Sequence, residues 1–272
     1  MTKASRLITV AALSLGLALL GFGAAARADE QAERLAHWQD IATLLFGDHP
    51  LQKGDGVIAL DAPVRADDAA LVPMTISIAP GNSIKGLYLV IDENPAPVAT
   101  HFVFGPAADP SEIKLRVRVN AYTNVHAVAE MQDGRLLETV RFVKASGGCS
   151  APMSMSEEDA KKGMGEMRLK LAGDATPGKP ADAMLMVRHP NFNGMQMYQV
   201  SRLYTPARYI QTVTVTDGEA KVFELEADIS LAANPVIGFR FIPQPGGTLK
   251  VAVTDSEKAH WEKSFPLPVP SN

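Results

Sequence analysis

The chain has 272 residues, with 26 Lys and Arg against 30 Asp and Glu, and a net charge of −4. That balance removes any electrostatic case for nucleic acid as a partner. There is one cysteine, so neither an internal disulfide nor a zinc site built from paired cysteines can form.

The N-terminus reads as a targeting segment. Lys3 and Arg6 precede an apolar run from Leu7 to Phe22, and Ala26-Arg27-Ala28 supplies small residues where a signal peptidase cuts. The run is short for a membrane span, which needs about 20 apolar residues. Residues 1–28 are therefore read as a signal peptide that directs the mature protein to the periplasm. About 240 residues then remain, room for one large domain or two of about 100 residues.

Leu35, Trp38, Ile41, Ala42 and Leu45 recur at spacings of three and four, which predicts a helix over 32–46 that Gly47 and Pro50 stop. From Gly56 the period changes to two. Strands are predicted at 57–60, 74–78, 87–91, 101–104 and 113–119, the last with its cations and its apolar residues on opposite faces. Runs 125–131 and 136–143 flank Asp133-Gly134, a hairpin signal. Residues 144–182 read as a connector. It holds a short helix capped by Ser156 and a candidate strand at 167–171.

The second half repeats this pattern. Ala183 to Val187 is apolar, Tyr209–Thr216 and Ala220–Leu225 flank Asp217-Gly218, and Phe239-Arg240-Phe241 and Leu249–Val253 follow. An internal echo aligns Asn94-Pro95, Phe102-Val103-Phe104, Pro106 and 113–119 with Asn234-Pro235, Phe239-Arg240-Phe241, Pro243 and 249–253. Short strands at this spacing predict an all-β chain of two immunoglobulin-like β-sandwiches in tandem, preceded by one helix.

The chemical signal is Lys144-Ala145-Ser146-Gly147-Gly148-Cys149-Ser150-Ala151-Pro152, which holds the only thiol. No apolar strand or helix pattern runs through it. The expectation is an exposed, reactive Cys149 on a flexible arm given its freedom by Gly147 and Gly148, with Lys144 the one nearby cation. A buried cysteine serving as a small hydrophobe, or one linking two chains, is the alternative. No phosphate-binding glycine loop, dinucleotide fingerprint or His-Glu-x-x-His motif is present. His101, His126 and His189 qualify by residue type alone as partners for a catalytic Cys149, but catalysis wants a nucleophile held still. No catalytic residue and no cofactor is assigned, and the chain is read as not an enzyme. A thiol on a tether suits a carrier.

Three Met-x-Met pairs form a second signal: Met153/Met155, Met184/Met186 and Met195/Met197. Thioethers and thiolates select cuprous copper, so Cys149, Met153 and Met155 are a copper alternative in an accessory module. Met184 and Met186 read as core filling, and Met195 and Met197 as part of an apolar contact surface. Arg188–Gly194 reads as a solvated loop in which Arg188 and His189 could meet an anion.

Several pieces together resemble a known family. Asp92-Glu93-Asn94-Pro95, Phe102-Val103-Phe104, Arg116-Val117-Arg118, Val128-Ala129-Glu130 before Asp133-Gly134, and Gly147-Gly148-Cys149 resemble SoxY, the cysteine-bearing half of the SoxYZ thiosulfate-oxidation carrier. Arg188-His189-Pro190, Pro206-Ala207-Arg208-Tyr209-Ile210 and Ala233-Asn234-Pro235 with Phe239 and Phe241 resemble SoxZ. The resemblance implies a SoxY-like sandwich with its helix over 29–148, a carrier-cysteine arm and linker over 149–181, and a SoxZ-like sandwich over 182–272. It implies a non-enzymatic carrier with a covalent small-molecule cargo on Cys149, passed between periplasmic redox enzymes. In the family the cysteine lies in a Gly-Gly-Cys-Gly-Gly tail at a free end. Here Ser150-Ala151 replace the trailing glycines and the chain continues. The fused form is similar to SoxYZ-like carriers associated with quinoprotein (PQQ) alcohol dehydrogenases, which adds such an enzyme and its cytochrome as expected partners.

Overall fold

A computed structural model describes residues 31–152, 156–198 and 202–268. The signal peptide read at 1–28 lies outside them. The chain divides into two units, 1–48 and 49–272. The first contains helix α1, residues 31–46, as the apolar spacing predicts. It ends at Gly47, whose N–H donates to the Thr43 carbonyl at 2.9 Å and whose φ of 61° is the left-handed C-terminal stop.

The second unit holds fifteen strands among the described residues. After β1 (Leu51–Lys53) come β2 (Ile58–Asp61), β3 (Val72–Ile78), β4 (Ile84–Ile91), β5 (Val98–Phe104), β6 (Ala108–Val117), β7 (Thr123–Met131) and β8 (Leu136–Val143). The second half contributes β9 (Met167–Leu171), β10 (Ala181–Val187), β11 (Ile210–Asp217), β12 (Ala220–Ala227), β13 (Val236–Phe241), β14 (Thr248–Asp255) and β15 (His260–Pro266). Between the halves lies α2 (Glu157–Lys161), capped by Ser156, whose side chain accepts from the Asp159 N–H as predicted.

The two halves are the same sandwich twice. Each strand from β2 to β8 has its counterpart seven strands later, from β9 to β15. The pairs β2–β3, β3–β6, β4–β5, β4–β7 and β7–β8 recur as β9–β10, β10–β13, β11–β12, β11–β14 and β14–β15, all antiparallel. The tandem sandwiches are therefore real, but the internal echo in the sequence is offset by one strand. It set β5 against β13, whereas the topological partner of β5 is β12. The Asn-Pro turn caused the offset: Asn94-Pro95 leads into β5, while Asn234-Pro235 leads into β13, the counterpart of β6.

The sandwiches do not stand apart. They join edge to edge into one nine-stranded sheet, β1-β8-β7-β4-β5-β12-β11-β14-β15, and one six-stranded sheet, β2-β3-β6-β13-β10-β9. Both seams pair equivalent strands antiparallel, β5 with β12 and β6 with β13, so the halves are related by an approximate two-fold axis. Alternation buries Val72, Met74, Ile76 and Ile78 of β3 and Leu249, Val251 and Val253 of β14. These inward residues meet in one continuous core. Phe102 of β5 meets Phe223 of β12 edge-on at 5.4 Å between ring centroids, Phe223 meets Phe239 of β13 at 5.1 Å, and Phe239 meets Phe241 at 6.1 Å. The aromatic ladder thus links both seams through the core. On the six-stranded sheet Arg240 of β13 pairs with Asp109 of β6 at 3.1 Å and donates to Ser111 Oγ at 2.6 Å.

Two strands were not read from the sequence. β1 is three residues long and pairs parallel to β8. β15 is a largely exposed, polar edge strand, a composition that blunts a sheet edge and hides the strand's alternation. Met184 and Met186 correct the core-filling expectation. They lie on the outward register of β10 while Ala183, Leu185 and Val187 point in, and Met184 is exposed.

Because one core serves both halves, Phe102→Ala should remove about 3–5 kcal/mol from unit 49–272 as a whole. Urea unfolding followed by near-UV dichroism should show one transition moved to lower denaturant. Two transitions, with only one moved, would mean independently folding halves.

Candidate functional site around the single cysteine

Cys149 follows β8 by six residues, yet it is buried and unpaired. The expectation of an exposed thiol is therefore corrected. The small residues that suggested exposure instead let the segment pack tightly against neighbouring backbone. Gly147 N–H donates to the Asn120 carbonyl at 2.7 Å and Gly148 N–H to the Val119 carbonyl at 3.1 Å. Val119 N–H in turn donates to the Ala69 carbonyl at 2.8 Å. A Cβ on Gly148 would overlap the carbonyl oxygens of Ala69 and Val119, so this glycine permits close approach of backbones. Gly147 has φ 74° and turns the chain. Ser150 N–H closes that turn on the Gly147 carbonyl at 3.2 Å.

The second half completes the enclosure. Asn193 Nδ2 donates to the Cys149 carbonyl at 2.6 Å. Arg118, 3% exposed, donates through Nη2 to the Asn191 carbonyl at 3.2 Å. Asn191 sits at φ 44° with every polar group engaged: Oδ1 accepts from Ile210 N–H at 3.0 Å, Nδ2 donates to the Ala232 carbonyl at 2.9 Å, and its N–H donates to His189 Nδ1 at 3.1 Å. From the first half, Asn94 Nδ2 donates to the Arg118 carbonyl at 2.8 Å and Asn94 Oδ1 accepts from Asn120 N–H at 2.9 Å. Asn94 Nδ2 also reaches Ser230 Oγ across the seam at 2.8 Å.

Two expectations about this loop change. His189, Asn191, Phe192 and Asn193 are buried, not solvated. Arg118 is buried as well, although alternation through 113–119 put it on the outer face with Lys114 and Arg116. Strand β6 ends at Val117, and Arg118 N–H goes instead to the Ser230 carbonyl at 2.8 Å, so the alternation no longer applies. Arg118 and not Lys144 is the cation beside the thiol. Lys144 forms a backbone bridge with Arg65.

Burial pushes the Cys149 thiol up from its ordinary value, and the Arg118 charge draws it partly back. The nucleophilic form of a cysteine is the thiolate, so the enclosed thiol is protected. Burial also lowers the Arg118 guanidinium from its ordinary value, opposed by Cys149 and Asp68.

The three histidines considered as partners for Cys149 are engaged elsewhere. His101 stacks on Tyr88 at 3.8 Å and lies 3.7 Å from Glu130 and 3.5 Å from Glu226 at the β5–β12 seam. His126 is buried between Glu138 at 2.5 Å and Asp92 at 3.2 Å. His189 Nε2 faces Asp255 at 3.5 Å, which Arg208 Nε holds at 2.7 Å. Of the candidate copper ligands, Met153 and Met155 lie outside the described residues. Met195 and Met197 are half-buried, beside the exposed Tyr198 and Tyr204.

Beside the cysteine segment opens a cavity of about 270 Å³, walled by Arg118, Arg188, Gln196, Asp68, Ala151 and Pro152 among others. Gln196 is 3% exposed. The sequence alone did not mark Asn191, Asn193 or Gln196: the two asparagines read as loop polarity before Gly194, and Gln196 stands inside the Met195/Met197 pair.

Comparison with known proteins places both halves. Residues 42–149 match the family model described as Sulfur oxidation protein SoxY, and residues 167–266 that described as Sulphur oxidation protein SoxZ. Among solved structures, the chain is similar to the sulfur carrier protein SoxY from Chlorobium limicola f thiosulfatophilum, at 27% identity over 43% of this chain and 98% of that one, with a TM-score of 0.38. A beta-glycosidase from Bacteroides vulgatus matches 83% of this chain and 25% of its own at 9% identity and a TM-score of 0.23. No curated protein sequence matches the chain.

Two outcomes test this geometry. Gly148→Ala should cost about 1–3 kcal/mol through overpacking and speed thiol alkylation, read by denaturation and by reaction with a chromogenic disulfide. Burial alone would lower His126, but its hydrogen bonds to Asp92 and Glu138 outweigh burial and raise it above 6.5. A raised folded-state pKa contributes stability that is complete below the unfolded value and is lost as pH rises through the folded one. The stability advantage of wild type over His126→Gln should therefore shrink from pH 6 upward. An advantage that grows with pH would contradict the ion-paired imidazolium.

Proposed function

We propose a covalent carrier function for this chain, which belongs to the SoxYZ family and joins its SoxY and SoxZ members in one polypeptide. Cys149 is the attachment point, and the cargo is a sulfur-containing intermediate passed between redox enzymes. The observation that carries this reading is the place of Cys149. It is the only thiol, it stands at the last residue of the SoxY match, and it sits in a segment held by a few breakable hydrogen bonds.

The segment acts as a gate. Closed, it keeps the thiol protonated and out of water. Opening breaks the bonds of Gly147, Gly148 and Asn193 to their partners, a cost of about 3 kcal/mol at roughly 1 kcal/mol net per bond. That leaves an open fraction of about one in a hundred. In the open form the solvated thiolate attacks an electrophilic sulfur. A new S–S bond forms and the leaving group departs with its electron pair, so no net electrons are exchanged in the attachment step. No residue of the chain needs to catalyse it, because the partner enzyme supplies the activated sulfur. Gly147 and Gly148 then give the opened backbone its reach.

The setting we propose is the periplasm, on the strength of the targeting pattern at 1–28. Among the described residues no helix is long and apolar enough to cross a membrane. The partners are sulfur-oxidation enzymes or, given the fused layout, a quinoprotein alcohol dehydrogenase with its cytochrome.

Protein isolated from cells without reductant should carry a mass adduct on Cys149 that a reducing agent removes and that Cys149→Ser lacks. The native thiol should react about a hundredfold more slowly than in the unfolded chain, and Asn193→Ala, which removes one bond of roughly 1 kcal/mol, should recover about fivefold of that. An unmodified thiol in cells together with a native rate of zero over hours would end the carrier reading.

A further inference from the structure

We propose that the cavity walled by Arg118 and Arg188 is a binding site for a small tetrahedral oxyanion of the sulfonate or sulfate class. On the carrier reading, it docks the anionic end of a cargo attached to Cys149.

The argument begins with Arg118. Its guanidinium is a permanent cation, 3% exposed, and lines the cavity. Among the described residues no carboxylate lies within ion-pair distance of it. Its Nη2 donates to the Asn191 carbonyl, but its Nε is buried without an acceptor. Asp68, on the same cavity wall, acts on Arg118 only at longer range, and a buried charge without a contact counter-ion or a full set of acceptors is costly to keep. The cheapest remedy is an anion in the adjoining space, which would accept from the guanidinium in the paired geometry that arginine offers to oxyanions.

Arg188 reinforces the case from the cavity rim. It is an exposed residue whose Nε is committed to the Lys162 carbonyl, which fixes the guanidinium in place. Gln196 supplies a second buried polar group on the wall, with its Oε1 unpartnered. The assignment of amide oxygen and nitrogen is interchangeable, so the amide can turn to donate when an anion enters. Asp68 is the one carboxylate of the lining, and its Oδ1 already accepts from Ala70 N–H at 2.8 Å.

Size and place narrow the ligand. About 270 Å³ lies below the usual range for cofactor and drug-sized ligands, which leaves room for a small anion and its waters. Ala151 and Pro152, which wall the cavity, stand two and three residues after Cys149 in the chain, and Arg118 lies near enough to alter the ionisation of the thiol. The same residues that shift when the cysteine segment opens therefore reshape the site. An anionic adduct held against Arg118 would favour the closed form, and handover to a partner would require the anion to leave first.

The test uses the full mature chain carrying Cys149→Ser, so that no covalent bond can form. Sulfate and thiosulfate are titrated by calorimetry and by thermal shift, beside phosphate and planar acetate. Saturable binding of the tetrahedral sulfur oxyanions is expected, stronger than that of acetate. Arg188→Gln, at the exposed rim, should weaken it about tenfold, as should Arg118→Gln where that variant folds. Asp68→Asn should strengthen it. Absence of saturable binding, or binding indifferent to both Arg188→Gln and Asp68→Asn, overturns the site. The carrier reading fails separately. Anion binding in Cys149→Ser together with an inert wild-type thiol would leave the site and remove the carrier, and the reverse pattern would leave the carrier and remove the site.

Discussion

The structure of unit 49–272 depends on two backbone seams, β5 with β12 and β6 with β13. Each half taken alone would expose both of these strand edges, one on each sheet, and such edges are templates for pairing. Pairing them with each other satisfies the hydrogen bonds and merges two small cores into one. A larger core buries a greater fraction of its chain, and the Phe102–Phe223–Phe239 ladder lies where the two cores meet. Equivalent strands meet at both seams, so the join follows from the likeness of the halves.

The enclosure of Cys149 is a consequence of that join. Asn94, Arg118, Val119 and Asn120 belong to the first half, and Asn191, Asn193 and Ser230 to the second. Asn94 to Ser230 and Arg118 to Asn191 cross between them. The loop carrying Asn191 and Asn193 is held in turn by the Asn234 N–H on the His189 carbonyl at 2.7 Å, while the His189 ring faces Asp255, a buried carboxylate that Arg208 and the Glu257 and Ala259 N–H groups satisfy. The second half thus contributes to the cover of the thiol through Asn193 on the Cys149 carbonyl. Cover and delivery pull in opposite directions, and the small number of bonds on Gly147, Gly148 and Cys149 is where the two can be balanced.

Much of the fold was legible because strand burial leaves a period of two in the sequence. The predicted hairpins at Asp133-Gly134 and Asp217-Gly218, the cap at Ser156 and the strand at 167–171 stand where they were placed. β15 was missed because an exposed edge strand carries no apolar alternation. The site was less legible. Arg118 continues the cationic face of β6 by spacing alone and leaves it only because the strand stops one residue earlier. Asn191 and Asn193 look like loop polarity until the backbone groups they satisfy are known. Gly148 looks like freedom and acts as clearance.

The sequence by itself determined that this chain is two β-sandwiches with a single thiol at the end of the first, because alternation, turn chemistry and a cysteine count are local properties. Its resemblance to SoxY and SoxZ was likewise carried by short segments read in order. Tertiary structure alone decided that the sandwiches share their sheets, that the thiol is buried and that a buried arginine faces a small cavity beside it. Those features arise from contacts between residues 44 to 136 positions apart, such as Asn193 with Cys149 and Asn94 with Ser230. No local pattern encodes such pairs; they exist only once the two halves have met.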